Sequence, residues 1–272
     1  MSTLYVVATP IGNLEDITLR AIRILTDVEL IAAEDTRKTR RLLSRYKINT
    51  PLTSYHEHNS KRKLPILLKS LIENDIALVS DSGMPNISDP GHELISTCFD
   101  HNISIVPIPG PSIVPTAVAI SGLPTEQFIF MGFTPNRTMA RKKVLKSVSL
   151  DQRTLVFLEA PHRLRSSLKD ILGVLGDRRI SICRELTKLH EEIFRGTVSQ
   201  AYDYYKQPRG EFTLVLEGAT TLAGLDKEAT RKLLKEFLNQ GKGARDAVAL
   251  TKTYSILPRR DIYRLWIGLQ NQ

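Results

Sequence analysis

Apolar residues recur along this chain in short runs, each closed by a polar or Gly/Pro-rich stretch. Residues 4–8, 29–33, 76–80 and 103–108 form four such runs in the first half. The first, third and fourth hold enough Val and Ile for buried parallel strands. Between runs the period lengthens to that of a helix. In residues 16–25, Asp16 is an N-cap candidate ahead of Leu19, Ile22 and Ile24, and in residues 61–71 Leu64, Leu67, Leu68 and Leu71 share one face. This alternation predicts an α/β sheet.

A second set of runs begins after GLPTEQ, with strands expected at 128–131, 154–158, 179–184 and 212–216 and a helix at 164–175. It reads as a second α/β domain. From residue 221 the pattern turns helical, with one stripe of Ala229, Leu233, Leu234, Phe237 and Leu238 and another of Ile262, Leu265, Trp266 and Leu269. The expected organisation is therefore an N-terminal α/β domain (1–122), a second α/β domain (123–220) and a small, basic, helical C-terminal region (221–272). No fixed-period repeat or low-complexity stretch occurs.

With 272 residues, 42% hydrophobic and 25% charged, the composition is that of a folded globular protein. The formal charge of +9 favours a polyanionic partner, since lysines and arginines bind phosphates with release of counterions. Cys98 and Cys183 are the two cysteines, far apart and in no CxxC pair, so neither a disulfide framework nor a zinc ribbon is suggested and a reducing cytoplasm fits. The N-terminus lacks a signal-peptide pattern and no run of about 18 apolar residues occurs, so no membrane association is expected.

Three loops at strand ends carry the first hint of chemistry. TPIGNL (9–14) follows the first strand, where Gly12 lets the backbone approach a ligand. SDSGMPNISDPG (80–91) follows the third and packs two glycines, two prolines and two aspartates into twelve positions, far more than a turn requires. Asp81 or Asp89 can accept hydrogen bonds from an amine or a ribose there, although Asp89 before Pro90 equally suits a helix cap. The third loop lies in residues 108–124, with a helix expected to begin around Ser112, whose amides could hold a carboxylate. GxGxxG and GxxxxGK[ST] are both missing, which weakens dinucleotide and P-loop readings.

Charged segments add a possible acceptor side. AEDTRKTRRLLSRYK (33–47) sets Arg37, Lys38, Arg40, Arg41, Arg45 and Lys47 beside a buried Leu42/Leu43 face, an arrangement suited to phosphate contacts or to an ordinary solvated helix. A second run, 137–146, offers the same choice. YHEHN (55–59) contains a His-x-His, but without further Cys or His nearby it points to a polar RNA-facing or catalytic loop, and no metal is expected. EAPHR (159–163) and RELTKLHEE (184–192) gather charges at strand ends, where Glu185 and Lys188 are also compatible with a plain surface pair.

The ordered set TPIGNLEDIT, AEDTRKTRRLL, YHEHN, SDSGMPNISDPG, PGPS, FMGFTP, EAPHR, RELTKLHEE and GEFTLVLEG closely resembles the ribosomal RNA small subunit methyltransferase I family, within the tetrapyrrole methylase superfamily. The resemblance spans nearly all of residues 4–218. It implies two α/β domains of tetrapyrrole methylase type with an S-adenosylmethionine cleft between them, a homodimer, and methylation of a cytidine 2′-hydroxyl near the ribosomal decoding centre. Pro10, Gly12, Leu14, Asp81, Ser82, Gly83, Pro85, Ser112 and Ile113 resemble cofactor-lining positions. Ser82 and Ile113 stand where the family pattern has alanine, and Gly83-Met84-Pro85 replaces the Gly-Asp-Pro of tetrapyrrole-modifying relatives.

A ribose hydroxyl is a weak acid, so a base and a nearby cation are expected to assist its attack. His58, Glu57, His162, Glu185 and Lys188 are in the motifs that qualify. The working expectation is Glu57 or Glu185 as base, with Lys188 and Arg163 holding phosphate or polarising the hydroxyl. Arg37, Lys38, Arg40, Arg41 and Arg163 are the expected RNA contacts, on naked small-subunit RNA or an assembled subunit. Two alternatives are a methylase of a tetrapyrrole or another small molecule, which leaves the basic runs idle, and a non-catalytic RNA-binding assembly factor, which leaves the three loops unexplained.

Overall fold

The computed structural model describes residues 2–219, 225–252 and 254–270. Its first half runs β1 (Thr3–Val7), α1 (Leu19–Asp27), β2 (Leu30–Ala33), α2 (Thr36–Arg45), β3 (Leu52–Ser54), α3 (Ser60–Ser70), β4 (Ile76–Val79), α4 (His92–Asp100), β5 (Ser104–Ile108) and α5 (Ile113–Ile120). All five strands are parallel, in the order β3-β2-β4-β1-β5.

Successive strand residues point to opposite faces, and each face is covered. Val7, Ile31, Ala33, Ala77 and Val79 meet Ala21, Ile24 and Leu25 of α1 and Leu42 and Leu43 of α2. Leu4, Ala32, Ile76 and Leu78 meet Leu67 of α3 and Leu94 and Cys98 of α4. Thr18, rather than Asp16, caps α1, its side chain accepting from the Ala21 N–H; Asp16 closes a short 3-10 turn, Leu14–Asp16.

The second half runs β6 (Phe128–Phe133), α6 (Thr138–Ser147), β7 (Thr154–Glu159), α7 (Leu164–Leu175), β8 (Arg179–Arg184), β9 (Glu192–Thr197), α8 (Val198–Tyr204) and β10 (Phe212–Leu216). Its mixed sheet has the order β6-β7-β10-β8-β9, parallel only between β6 and β7. Helix α5 packs Val114, Ala117 and Val118 against Val156, Cys183 and Val215 of this sheet. Both sheets accordingly belong to one compact unit, Met1–Ser147 with Arg153–Glu217.

The other unit, Val148–Gln152 with Gly218–Gln272, holds α9 (Lys227–Asn239), α10 (Ala244–Lys252) and α11 (Arg259–Gln270). Leu233, Leu234, Phe237, Val248, Ile262 and Trp266 form its core. The expected 220/221 boundary falls outside the described residues. Among the described residues no helix is long and apolar enough to cross a membrane, and no group of His, Cys, Asp and Glu is arranged to hold a metal ion.

Two strands do not show in the hydrophobic pattern. β3 has only three residues, all half-buried, and β9 (EIFRGT) is an edge strand whose Glu192, Arg195 and Gly196 break the run.

Part of the basic run 137–146 is structural. Arg141, 2% exposed, donates to Asp170 of α7 from Nε at 2.8 Å and Nη2 at 2.5 Å, and from Nη1 to the Pro135 carbonyl at 3.1 Å. Asp170→Ala leaves that guanidinium buried without its carboxylate and is expected to lower the unfolding free energy by about 3–5 kcal/mol. Arg141→Met/Asp170→Leu, which removes both charges, recovers most of the loss. Urea unfolding of the two variants checks this.

Candidate active site

The strand order fixes where a crevice opens. From β1 the chain travels past β4 to β2, whereas from β4 it travels past β1 to β5, so the connections at the carboxyl ends of these neighbours diverge. The two loops that leave there are 9–14 and 80–91. They are tied by reciprocal backbone bonds, the Thr9 N–H to the Gly83 carbonyl at 2.9 Å and the Gly83 N–H to the Thr9 carbonyl at 3.0 Å. Gly83 has φ +77°, a left-handed conformation that glycine adopts without steric penalty. Asn86 (φ 69°) and Ser88 (φ 66°) hold left-handed conformations without that freedom, so the rest of the loop is locally strained.

The facing wall comes from the loop after β8, where Glu185 (φ 50°) and Thr187 (φ 66°) are also left-handed. This loop lies on Gly12: a Cβ there would stand 2.6 Å from Lys188 Cγ and from Thr187 Oγ1, and 2.7 Å from the Leu186 carbonyl oxygen. The Asn13 N–H donates to Thr187 Oγ1 at 3.0 Å. Gly12 is therefore required by a protein segment some 170 residues away, a reason additional to the ligand approach expected from the loop alone.

Lys188 Nζ reaches Glu211 Oε2 at 2.8 Å and Glu185 Oε1 at 3.1 Å, and the Glu211 N–H donates to Glu185 Oε1 at 2.8 Å. Burial opposes ionisation of Glu185, but the Glu211 N–H and the Lys188 ammonium outweigh it and hold its carboxyl below the usual range. Burial likewise opposes the charge on Lys188, and Glu211 and Glu185 outweigh it, so its pKa lies above the usual lysine value.

Between these walls lies a cleft of about 420 Å³. Pro10, Gly12, Leu14, Asp81 and Ser82 line it, together with Lys188. Ile11, Leu42 and Leu14 give it an apolar side, and Lys38, Arg41 and Glu211 add charge. Lys38 Nζ binds Asp81 Oδ2 at 2.7 Å, the Asp35 N–H binds Asp81 Oδ1 at 3.0 Å, and the Asp81 N–H binds Glu34 Oε2 at 3.1 Å.

Other expected site residues lie apart from the cleft. Gly83 sits behind it in the backbone tie. Ser112 holds the N-cap position of α5 without a side-chain capping bond and lines a neighbouring hollow with Ile11, Gly110 and Thr187, while Ile113 packs on the α5 core. Arg37 closes on Asp35 at 2.7 Å, and Arg40 is exposed on α2. Arg163 is a brace: it pairs with buried Glu159 at 3.0 Å, donates to the Thr134 carbonyl at 3.1 Å and binds Asn136. Ser167 and Thr134 hydroxyls also donate to Glu159. With its side chain 16% exposed, Arg163 presents little of its guanidinium to solvent.

A second cavity lies on the far side of the Glu34–Asp81 contact, lined by Glu34, Tyr55, His56, Glu57, His58 and Asp89 among others. Asn59 shapes the YHEHN loop, accepting from the His56 N–H at 2.9 Å and donating to Ser54 Oγ at 3.0 Å. Glu57 thus lines a cavity apart from the cleft, whereas Glu185 lines neither and meets the cleft only through Lys188 and Glu211. Asp89 does not cap α4, whose N-cap is Gly91. Burial, then the charges of Glu34 and Asp81, push the Asp89 carboxyl up to about 6, against a hydrogen bond from Ser80. Burial and Asp81 also raise Glu34, against the Asp81 N–H. Glu211 and the titration of Asp89 are the parts of the site that sequence reasoning missed. Only the GEF motif hints at the first, and the sequence admits Asp89 merely as an acceptor or a cap.

Residues 3–202 match the family profile of tetrapyrrole (corrin/porphyrin) methylases. The ribosomal RNA small subunit methyltransferase I of Thermotoga maritima is 51% identical over 221 residues, covering 80% of this chain and 99% of that protein. Its counterpart in Halalkalibacterium halodurans is 44% identical over 272 residues, covering 97% and 94%. Among solved structures, a uroporphyrin-III C-methyltransferase from Thermus thermophilus superposes with a TM-score of 0.57 at 18% identity, covering 79% of this chain and 94% of that one. A cobalt precorrin-4 methyltransferase gives 0.60 at 16%, covering 78% and 94%. At such identities the structural likeness concerns the fold alone.

Two outcomes follow from the geometry. Gly12→Ala forces the 186–188 segment to move and is expected to destabilise the chain by about 1–3 kcal/mol in urea unfolding. An unchanged midpoint would show that this packing is loose. Asp89 has its ordinary pKa of 3.8 when unfolded and one of about 6 when folded, so its contribution to stability is complete below about 3.8 and is lost as pH rises through about 6. Asp89→Asn, which cannot ionise, should therefore be more stable than wild type at pH 7.5 by about 1 kcal/mol, allowing for partial solvent screening, and equal to it near pH 4. Melting temperatures at the two pH values check this.

Proposed function

The chain belongs to the tetrapyrrole (corrin/porphyrin) methylase family and is a methyltransferase, and from that premise we propose that it methylates the 2′-hydroxyl of a cytidine in small-subunit ribosomal RNA, with S-adenosylmethionine as donor. The observation that carries this reading is the single loop 80–91, which lines the cleft with Asp81 and Ser82 and the second cavity with Asp89. One rigid segment can then serve both donor and acceptor. The relatives' names supply the substrate class, and the cations Lys38, Arg41 and Lys188 at the cleft suit a polyanion.

The residues of the cleft fit the donor's chemistry. Ile11, Leu14 and Leu42 offer apolar surface for an adenosine, and Asp81, Lys38 and Lys188 offer both signs of charge for an amino-acid zwitterion. When bound, S-adenosylmethionine supplies a methyl on a sulfonium, open to in-line displacement by an oxygen. The protein's task is to align the ribose oxygen and accept its proton.

Glu185 is poorly suited to accept that proton, because its carboxylate is held ionised by the Glu211 N–H and Lys188. It acts as a positioning residue for Lys188. Asp89 fits better: a carboxylate titrating near 6 is ionised at neutral pH yet more basic than an ordinary one. Glu57, exposed in the same cavity, is a contact to the incoming nucleotide.

The test is transfer of labelled methyl from S-adenosylmethionine to small subunits purified from cells lacking the protein. Label at one cytidine as an alkali-resistant linkage is expected. Transfer to a porphyrinoid and to no RNA would sink the proposal. With the chemical step limiting, the wild-type rate should rise as pH passes through about 6 and then level off, while Asp89→Asn lowers kcat by roughly 10²–10⁴-fold with little change in KM for the donor. A variant with wild-type kcat would remove Asp89 from this role.

A further inference from the structure

The three-helix unit carries ten Lys and Arg against six Asp and Glu, a net +4 of the chain's +9, in 60 residues. Its cations are not spread evenly. Arg245 sits in the first turn of α10, Arg259 and Arg260 in the first turn of α11, and Tyr263 and Arg264 one turn further along α11. Together with the buried Val248 they line a single cavity of about 640 Å³.

Folding does not account for this arrangement. The N-terminal turn of a helix is the positive end of its dipole, where a cation is unfavourable by about 0.3–1 kcal/mol and an anion favourable. Three guanidiniums nevertheless occupy the first turns of two helices. Each first turn also holds one carboxylate, Asp246 in α10 and Asp261 in α11, but direct pairing is slight: Asp261 stands 3.8 Å from Arg260 and 3.6 Å from Arg264, beyond hydrogen-bond distance and on an exposed face. Among the described residues, Arg245 and Arg259 have no ion pair, and both are exposed. Tyr263 is 48% exposed beside them. Behind the cavity Ile262 and Trp266 are buried in the unit's core, so the charged face is carried on packed helices.

Resting on the reading that the substrate is RNA, we propose that this arginine cavity is a second RNA-binding site, separate from the methyl-transfer cleft. Its guanidiniums hold successive phosphates, and the Tyr263 ring stacks on an unpaired base. Forked donors match phosphate oxygens, the dipoles of α10 and α11 add to the attraction, and an aromatic among arginines is the chemistry that recognises a single-stranded nucleotide. The site contributes affinity for the substrate, and the chemical step is left to the other unit.

The experiment uses the full chain and small-subunit RNA, with affinity measured from low to moderate salt. Arg245→Glu/Arg259→Glu should weaken binding at least tenfold and reduce the slope of log affinity against log salt by about two, one for each phosphate that the variant no longer neutralises. Tyr263→Ala should weaken binding roughly 5–150-fold, with a smaller change of slope. Affinity for S-adenosylmethionine and kcat at saturating RNA should stay at wild-type values. Glutamates in first helical turns are favourable, so the double variant should melt no lower than wild type; Arg245→Gln/Arg259→Gln gives the same reading if it does. RNA affinity and salt slope equal to wild type would overturn the proposal. Failure of the wild-type chain to bind or methylate RNA would instead defeat the reading of the substrate.

Discussion

The reciprocal hydrogen bonds between Thr9 and Gly83 are the constraint on which the site depends. Parallel strands whose connections diverge leave a crevice, but a crevice between two untied loops would not hold a fixed shape. The tie makes the loops after β1 and β4 one body, and the left-handed Gly83 lets the chain turn back to make it. Gly12 then brings the 186–188 segment into contact from the second sheet. Three segments distant in sequence thus form a frame set before any ligand arrives, as precise alignment of reactants demands.

Within this frame three nearby carboxylates have different surroundings. Asp81 is bound by Lys38 and by the Asp35 N–H, and Glu34 accepts from the Asp81 N–H. Asp89 has the Ser80 hydroxyl, partial burial and two like charges for neighbours. Burial and repulsion make its proton harder to lose, so one residue type serves as a charge anchor at one end of a loop and as a stronger base at the other. Environments that separate the titration of neighbouring acids commonly accompany acid–base chemistry.

The cations divide in a similar way. Arg141 and Arg163 are enclosed by their own carboxylates and carbonyls and stabilise the second sheet's helices and turns. Lys38 and Lys188 line the cleft while paired, and Arg41 lines it from the exposed side of α2. Arg245 and Arg259 stand in the helical unit without carboxylate partners among the described residues. A net charge of +9 is therefore not the property of any single surface: part of it is internal structure, and the remainder is distributed over two compact units.

Sequence alone determined the strands that leave an apolar run, β1, β2, β4, β5, β6, β7, β8 and β10, the helical character of the last fifty residues, and the three loops at strand ends. These are legible because hydrophobic period and turn chemistry report local structure directly. The short β3 and the broken edge strand β9 were not, since neither is long or apolar enough to leave a period. Tertiary structure alone decided that Gly12 faces Leu186 to Lys188, that Arg163 is enclosed by Glu159 and Thr134, that Glu57 lines a cavity apart from the cleft, and that the Asp89 carboxyl is pushed up by burial among like charges. Each depends on groups brought together from distant parts of the chain, and both the sterics of a Cβ and the free energy of a charge are set by those neighbours rather than by the residue's own position in sequence.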